Sequence, residues 1–534
     1  MYEPSLSASS GTRIGTAESS GATTPTRKKW YSQDKATRSQ ETLSMLVGAS
    51  HKLANPNEKK GALPSPQKLR KRPGHKRKTS GRIVTGADIQ RDDELRIQLQ
   101  IADILQRQRY ITKMCRALML FGAPGHRLEE HMKTTAAWLE VDSQFLYVPD
   151  CMIISFDDNL THTTKVKIVR EAQGTNLSKL KDTHEIYKEV LHDVIPLDEA
   201  LERLEELIAS PVRWPDWVRI ICYGLASACI SVFFEARFID MPVIFVLGTL
   251  LGIGQVWVVP RSRTFAVVFE VLAATILSFA ARGFGSIMGG QLFCFSALTQ
   301  SSIAMILPGV LVLNSALELQ SKAIVPGAIR MVYAVIYSLF LGYGITVGTT
   351  LYGYVDTNAT NDPKCHNPAR REWGFLFVPF FILFATFTSN AKLKQMPLMV
   401  AVGTVGYIVN YFTSQKFAAS LPIAYALGAF TVGVLANAYS RFMHGVAITV
   451  LLPAVFVQVP GSLATSGAIT AGLQTATALN QNLAEGAQDS QLNTIVFSLA
   501  ASMIQISIGL SVGLSVANLI LYPMGKRRSA LWSL

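Results

Sequence analysis

Charged residues are scarce in this 534-residue chain: they make up 16% of it, against about 25% in typical soluble domains, whereas hydrophobic residues make up 49%. This shortage excludes an ordinary soluble protein. The six cysteines include no Cys-x-x-Cys pair, and at most Cys365 falls in a polar loop outside the cytosol, so we predict neither a disulfide framework nor a zinc site. No cleavable signal peptide is recognisable, and the first spanning helix is therefore expected to direct insertion.

Nucleotide-binding and hydrolase motifs are also missing. The chain contains no Walker, Gly-x-Ser-x-Gly or dinucleotide-binding motif, which disfavours ATP-driven pumping. We predict no cofactor and no metal.

The positive charge is concentrated at the start of the chain. Residues 1–91 hold 18 Lys and Arg against 6 Asp and Glu, a net +12 of the +13 in the whole chain. This segment is rich in Ser, Thr, Gly and Pro, and it has too little apolar surface to offset the entropy of folding. We predict a disordered basic tail that binds no nucleic acid, because no DNA-binding motif accompanies it. The tail is either simply solvated or an anionic-lipid binder.

Residues 92–211 have the pattern of a small cytosolic α+β domain. Leu95, Leu99, Ala102 and Leu105 recur at helical spacing until Gly122. A second helix follows from Pro124, then two extended segments, at 144–156 and 165–169, joined in a hairpin at residues 157–159. Helices are expected at 178–194 and 198–209.

Ten apolar runs beyond residue 214 are each long enough to span a bilayer. We predict a first five-helix unit at 212–350, an extracytosolic loop at 351–372, a second unit at 373–522 and a cytosolic tail at 523–534. Basic residues are more numerous in the loops assigned to the cytosol, and so both termini are expected there. Asn358, in the sequon Asn358-Ala359-Thr360, is a candidate glycosylation site in the far-side loop.

Three segments recur in the same order in the two units. Residues 241–249 resemble 396–404, residues 306–312 resemble 451–457, and residues 344–348 resemble 509–513. A repeated unit with five spans re-enters the membrane from the opposite side, so an inverted repeat is predicted. The alternative is that small residues recur in all membrane helices. In fold class the chain is thus predicted to be a polytopic α-helical membrane protein of about ten transmembrane helices.

The repeat points to a substrate pathway. Pro308 and Pro453 occupy matching places, and proline inside a membrane helix frees a carbonyl to face a polar group. A broken helix pair is the best candidate for the site; for about half of the nearby polar groups, the alternative is a hydrogen bond between helices. The candidate pathway residues are Pro308, Gly309, Pro453, Thr299, Ser301 and Asn314.

Charges deep in the bundle are rare. Glu270 is the candidate for proton coupling, with Arg330 as a second coupling candidate, and Glu318 and His444 lie near the ends of runs. A structural pairing of Glu270 with an arginine is an equal alternative.

The segment from Phe121 to Met132 (Phe-Gly-Ala-Pro-Gly-His-Arg-Leu-Glu-Glu-His-Met) resembles the amino-terminal domain of the threonine/serine exporter family. Residues 306–309, 330–334 and 337–344 look like its fungal branch, the pheromone-regulated membrane proteins. The resemblance covers about residues 92–524. It implies a soluble domain, two five-helix units, and export of small amino acids or similar metabolites.

His126, Arg127, Glu129 and Glu130 form the candidate motif of the soluble domain. A zinc site is disfavoured, since His126 and His131 stand five residues apart, about 140° around a helix. One alternative is acid–base hydrolysis by His126 and Glu129, aided by Asp157 or Asp158. Another is that Glu129 and Glu130 only cap and solubilise the first turns of the helix. A third alternative is a membrane scaffold without transport.

The function predicted from the sequence is secondary transport. The expected partners are a small polar solute, the lipid bilayer and anionic lipid at the tail; the sequence predicts no oligomeric state, direction or membrane of residence.

Overall fold

The computed structural model describes residues 86–158, 163–360, 365–417, 421–443, 445–458, 469, 473 and 488–522. The predicted disorder of the basic tail concerns residues that lie almost wholly outside these ranges, and it stays a prediction. Residues 104–534 form one compact unit.

Four helices and one sheet make up the α+β domain. Helix α1 spans Gly86–Phe121 and α2 spans Gly125–Trp138; after the sheet come α3 (Leu177–Leu191) and α4 (Leu197–Ala209). Helix α4 ends before Pro211, as predicted, because proline cannot continue a helix. Ile111, Met114 and Leu118 lie one turn apart and are buried in the core of the domain.

The sheet has three antiparallel strands in the order β1-β2-β3, not the single hairpin predicted. Strand β1 is Ser143–Val148, β2 is Cys151–Asp158 and β3 is Thr163–Arg170. The predicted first extended segment folds back on itself at Pro149 and Asp150, where Asp150 adopts φ 62°. Val148 therefore pairs with Cys151. Proline as the first central residue suits a turn whose second central residue is left-handed, and aspartate tolerates that conformation better than most residues.

The remaining helices are apolar. The first unit contains α5 (Asp216–Ile230), α6 (Met241–Ile253), α7 (Arg263–Gly285), α8 (Phe295–Ile303), α9 (Gly309–Gln320) and α10 (Ile324–Val355). The second contains α11 (Gly374–Thr388), α12 (Met396–Lys416), α13 (Leu421–Met443), α14 (Ala447–Phe456) and α15 (Gln488–Leu521).

Eight helices of the described chain are long and apolar enough to cross a membrane, or nine if α8 and α9 count as one bent span. The protein is a multi-pass membrane protein. The fourth of the ten predicted runs, at residues 286–313, contains two half-helices, α8 and α9, which meet at 53°, and α8 begins only at Phe295. The ninth run corresponds to α14, which has only ten residues and is too short to span alone.

The two units use the same packing partners. Helix α7 packs on α8 and α10 in the first unit, as α13 packs on α14 and α15 in the second. Gly344 of α10 and Gly509 of α15 occupy matching contacts: a Cβ atom at either would lie 2.7 Å from a backbone oxygen, of Val271 and Pro422 respectively. Only glycine permits so close an approach. The matched segments 344–348 and 509–513 are therefore similar in packing as well as in sequence.

Two faces of the bundle can be defined. The domain face carries the turns at residues 321–323 and 389–395, the second of which is bonded to the α+β domain. The far face carries the turns at residues 235–240 and 286–294, together with residues 356–360 and 365–373.

Candidate functional site

A break between α8 and α9 lies at the centre of the candidate site. Proline disfavours the helical conformation in the residue before it, and Leu307 is extended, with ψ 140°, immediately before Pro308. Pro308 has no N–H to continue the hydrogen-bond ladder, and α9 begins anew at Gly309. The break predicted at Pro308 is thus present in the structure.

Pro453 does not produce a second break. It lies inside α14, which runs through it from Ala447 to Phe456, so Pro308 and Pro453 are not equivalent in conformation. The sequence repeats the Pro-Gly pair of the break at Pro460-Gly461, outside the described residues. The predicted repeat aligned Pro308 with Pro453. An alignment of Pro308 with Pro460 instead shifts the second unit by seven residues.

Two cavities approach the break from opposite faces. The far-face cavity, of about 270 Å³, is lined by Leu307 and Gly309 at the break and by Gln458 at the end of α14. The domain-face cavity, of about 550 Å³, is lined by Val310 and Asn314 of α9. Both α9 and α14 contribute residues to the walls of the two cavities.

The predicted polar residues have different environments. Thr299 is fully buried and donates to the carbonyl of Phe295 (3.0 Å), so its hydroxyl is satisfied within α8. Ser301 is also fully buried, and its hydroxyl has no hydrogen-bond partner among the described residues. Asn314 faces the domain-face cavity.

Gln458 has the most unusual environment in the site. It is 2% exposed, and neither atom of its amide has a hydrogen-bond partner in the described part of the chain. Its amide lies close to α12 and α13, where a Cβ at Gly406 would be 2.8 Å from Nε2 and one at Gly428 would be 3.3 Å from Cδ. Buried amides are normally bonded, so an unpaired one on a cavity wall is a candidate solute ligand.

The two coupling candidates are not brought together. Glu270 is half-buried on α7 within electrostatic range of the Tyr333 and Tyr337 hydroxyls, and no ion pair of Glu270 is present among the described residues. Arg330 is 5% exposed, and its Nη1 lies 3.1 Å from Oε1 of Glu318, which is fully buried. The partner of Arg330 is thus Glu318, a residue that the sequence marked only as lying near the end of a run.

Arg330 also reaches into the α+β domain. Its Nη2 donates to the Tyr147 hydroxyl and to Oε1 of Gln173. Burial raises the pKa of Tyr147 to about 12, against a smaller opposing effect of Arg330, so the hydroxyl is neutral at physiological pH. Sequence reasoning missed Tyr147 and Gln173, which lie over 150 residues from Arg330 in the chain.

The motif residues of α2 are engaged in surface ion pairs. Arg127 pairs with Glu130 at 2.8 Å, and Glu129 pairs with Lys133 at 2.6 Å. Asp157 instead accepts hydrogen bonds from Ser155 (3.2 Å) and Gln144 (3.5 Å) on the sheet. No group of three or more metal-ligating residues is found among the described residues. Glu129 and Asp157 are thus engaged with different partners, and the side chain of His126 lies outside the described part of the chain.

The far face contains a disulfide between Cys294 and Cys365, with Cα atoms 5.3 Å apart. The prediction of no disulfide was wrong, because Cys294 was assigned to the interior of a span whereas it lies just before α8. Asp240 accepts a hydrogen bond from the Cys294 N–H (3.1 Å), which also holds the chain at Cys294 in place. Asn358 is exposed on this face.

Comparison with known proteins gives two family matches that divide the chain as the two units do. A threonine/serine exporter model matches residues 109–352, and the model described as "Threonine/Serine exporter, ThrE" matches residues 374–520. The chain belongs to the threonine/serine exporter family. An uncharacterized protein of Schizosaccharomyces pombe is 44% identical over 521 residues, which cover 95% of this chain and 67% of that protein.

Other relatives in the family are named pheromone-regulated membrane protein 10. That of Candida albicans (strain WO-1) is 48% identical over 83% of this chain and 41% of its own length. That of Saccharomyces cerevisiae (strain YJM789) is 43% identical over 83% of this chain and 57% of its own length. The chain thus spans about half the length of these relatives. No solved structure matches it.

Proposed function

We propose that the chain is a secondary transporter that exports threonine, serine or similar small amino acids and metabolites across a membrane. The observation that carries this proposal is the pair of cavities that meet the same break from opposite faces. A solute that binds at the break could be reached from either face after a small movement of α9 or α14. Transporters commonly place their sites at such discontinuous helices near the middle of the membrane.

The start of α9 suits a carboxylate. The first N–H groups of a helix have no partner within the helix and carry a partial positive charge. Gly309 lines the far-face cavity and Val310 the domain-face cavity, so this helix start adjoins both spaces. We assign solute binding to Pro308, Gly309, Ser301, Asn314 and Gln458, with Thr299 as support for α8; Pro453 keeps a place as a packing residue of α14.

Glu270 remains the proposed proton-coupling residue. It is a half-buried acid within a membrane span. Among the described residues it has no ion pair that would indicate a purely structural role. Arg330 has a lesser claim to that role, since Glu318, Tyr147 and Gln173 already occupy its donors.

The test is flux of labelled threonine and serine in proteoliposomes that contain the purified chain, with and without an imposed pH gradient. We expect saturable flux that the gradient accelerates. Glu270→Gln should lose the acceleration and keep gradient-independent exchange. Absence of flux for every small amino acid tested would overturn the proposed function, and an unchanged gradient response in Glu270→Gln would overturn the coupling role alone.

The far face is proposed to be extracytosolic, with the α+β domain and both termini in the cytosol. The disulfide supports this orientation, because such bonds persist in oxidising compartments. Asn358 is then exposed to the glycosylation machinery. On expression in a eukaryotic cell, the wild-type chain should show a glycosidase-sensitive mobility shift that Asn358→Gln abolishes. Asn367→Gln, on the same face but outside a sequon, is the matched control and should retain the shift. A wild-type chain insensitive to glycosidase would contradict this prediction.

A further inference from the structure

The α+β domain forms one wall of the domain-face cavity. One wall consists of domain loops, including Gly122, Asp150 and Gly174, and the other consists of α9, α10 and α14. A solute that leaves the break toward this face therefore passes along a wall formed by the domain.

The domain is attached to both five-helix units. In the first unit, Tyr147 and Gln173 accept hydrogen bonds from Arg330. In the second, the N–H groups of Leu177 and Ser178 at the start of α3 donate to the carbonyls of Ser389 and Asn390, each at 3.1 Å. Asp182 also pairs with Lys392. A movement of one unit against the other must therefore strain or break one of these two attachments.

The Gly125 motif has a docking role in this arrangement. Gly125 is the first residue of α2, and a Cβ atom there would collide with Oε1 of Glu318 and lie 2.5 Å from Cε1 of Tyr147. The positive end of α2 thus rests directly on the Glu318 carboxylate, which Arg330 also contacts. The charged and titratable groups around Glu318 are Arg330 on α10 and Tyr147 on β1, with Asp150 next along the chain in electrostatic range of Tyr147.

We propose that the α+β domain is the inner gate of the transport pathway and that Arg330, held by Glu318, is its latch to Tyr147 and Gln173. This inference rests on the proposed function for the solute that passes, but the opening of the gate can be measured without transport. Release of Tyr147 and Gln173 from Arg330 exposes the cavity and the break beneath it to the domain side.

The first test locks the gate. In the double variant Ala172→Cys/Ile329→Cys, whose positions lie on the domain wall and the α10 wall of the cavity, a thiol-reactive linker with an internal disulfide ties the domain to the first unit beside the latch. Threonine flux in proteoliposomes should fall at least tenfold on linking and return on reduction. The single variants, given the same linker and reductant, control for the native cysteines and for the Cys294–Cys365 bond. Wild-type flux in the linked protein would overturn the gate.

The second test opens the latch without reference to flux. Leu311 lines the domain-face cavity. In the variant Leu311→Cys, the rate of labelling by an impermeant thiol reagent applied at the domain face reports how accessible the cavity is from that side. Adding Tyr147→Phe removes one charge-assisted hydrogen bond, and labelling should accelerate about tenfold. Tyr110→Phe removes a hydroxyl buried in the same domain away from Arg330 and should leave the rate unchanged. Equal labelling in all three proteins would overturn the latch, even if threonine were transported; accelerated labelling without flux would count against the proposed function alone.

Discussion

Replacement of Glu318 by alanine is expected to destabilise the fold by about 3–5 kcal/mol, because Arg330 would be left buried without its counter-charge. The two side chains are 0% and 5% exposed, so water cannot replace the lost carboxylate. The gap would also lie beneath the start of α2, where the carboxylate faces the first residue of the helix. Thermal unfolding of the purified protein in detergent measures the effect.

The double variant Glu318→Leu/Arg330→Met is the control for this interpretation. It removes both charges together, and we expect it to recover most of the stability that Glu318→Ala loses, since an apolar pair of similar volume avoids the desolvation cost. Lys133→Met, in a surface pair with Glu129 at 2.6 Å, should change stability by less than about 1 kcal/mol. A double variant as unstable as Glu318→Ala would show that the charges themselves are not the cause.

Replacement of Gln458 by leucine, unlike that of Glu318 by alanine, should leave stability unchanged or slightly higher. It should weaken the affinity for solute at least tenfold. A buried amide without partners costs about 1–3 kcal/mol, and leucine avoids that cost. If the amide binds solute, tenfold weaker binding corresponds to a loss of about 1.4 kcal/mol. The Michaelis constant for threonine flux and the thermal midpoint, measured on the same preparation, separate the two effects.

Gln300 offers a matched comparison for stability. It is buried on α8, but its Nε2 donates to the Ser296 hydroxyl at 2.9 Å. Gln300→Leu should therefore destabilise the protein, because it leaves Ser296 without this bond. An affinity for threonine that is unaltered in Gln458→Leu would remove Gln458 from the solute site.

The local elements of this fold were predictable from the sequence. Hydrophobic runs of spanning length located the helices from α5 to α7 and from α10 to α13 closely. Pro308 predicted a break because its ring acts on the residues next to it. Where the sequence failed, the signal was ambiguous within a few residues: the turn at Pro149 and Asp150 was absorbed into one strand, and the chain before α8 was absorbed into one long span.

The contacts that form the domain interface were not predictable. Arg330 was singled out as a charge in a span, but its neighbours come from β1, from the loop after β3 and from α9. Gln173 and Tyr147 have no periodicity that marks them. The disulfide was missed for a similar reason, since Cys294 and Cys365 meet only after α7 and α10 bring their ends to the same face.

The most direct test of the account is two-sided thiol labelling at the break. Cysteines at Leu307 and at Val310, in separate variants, should react with an impermeant reagent from the far face and from the domain face respectively. A saturating concentration of threonine should change the two rates in opposite directions, as expected if one site is reached alternately from the two faces. Rates that ignore threonine, or that rise and fall together, would contradict solute movement through this break.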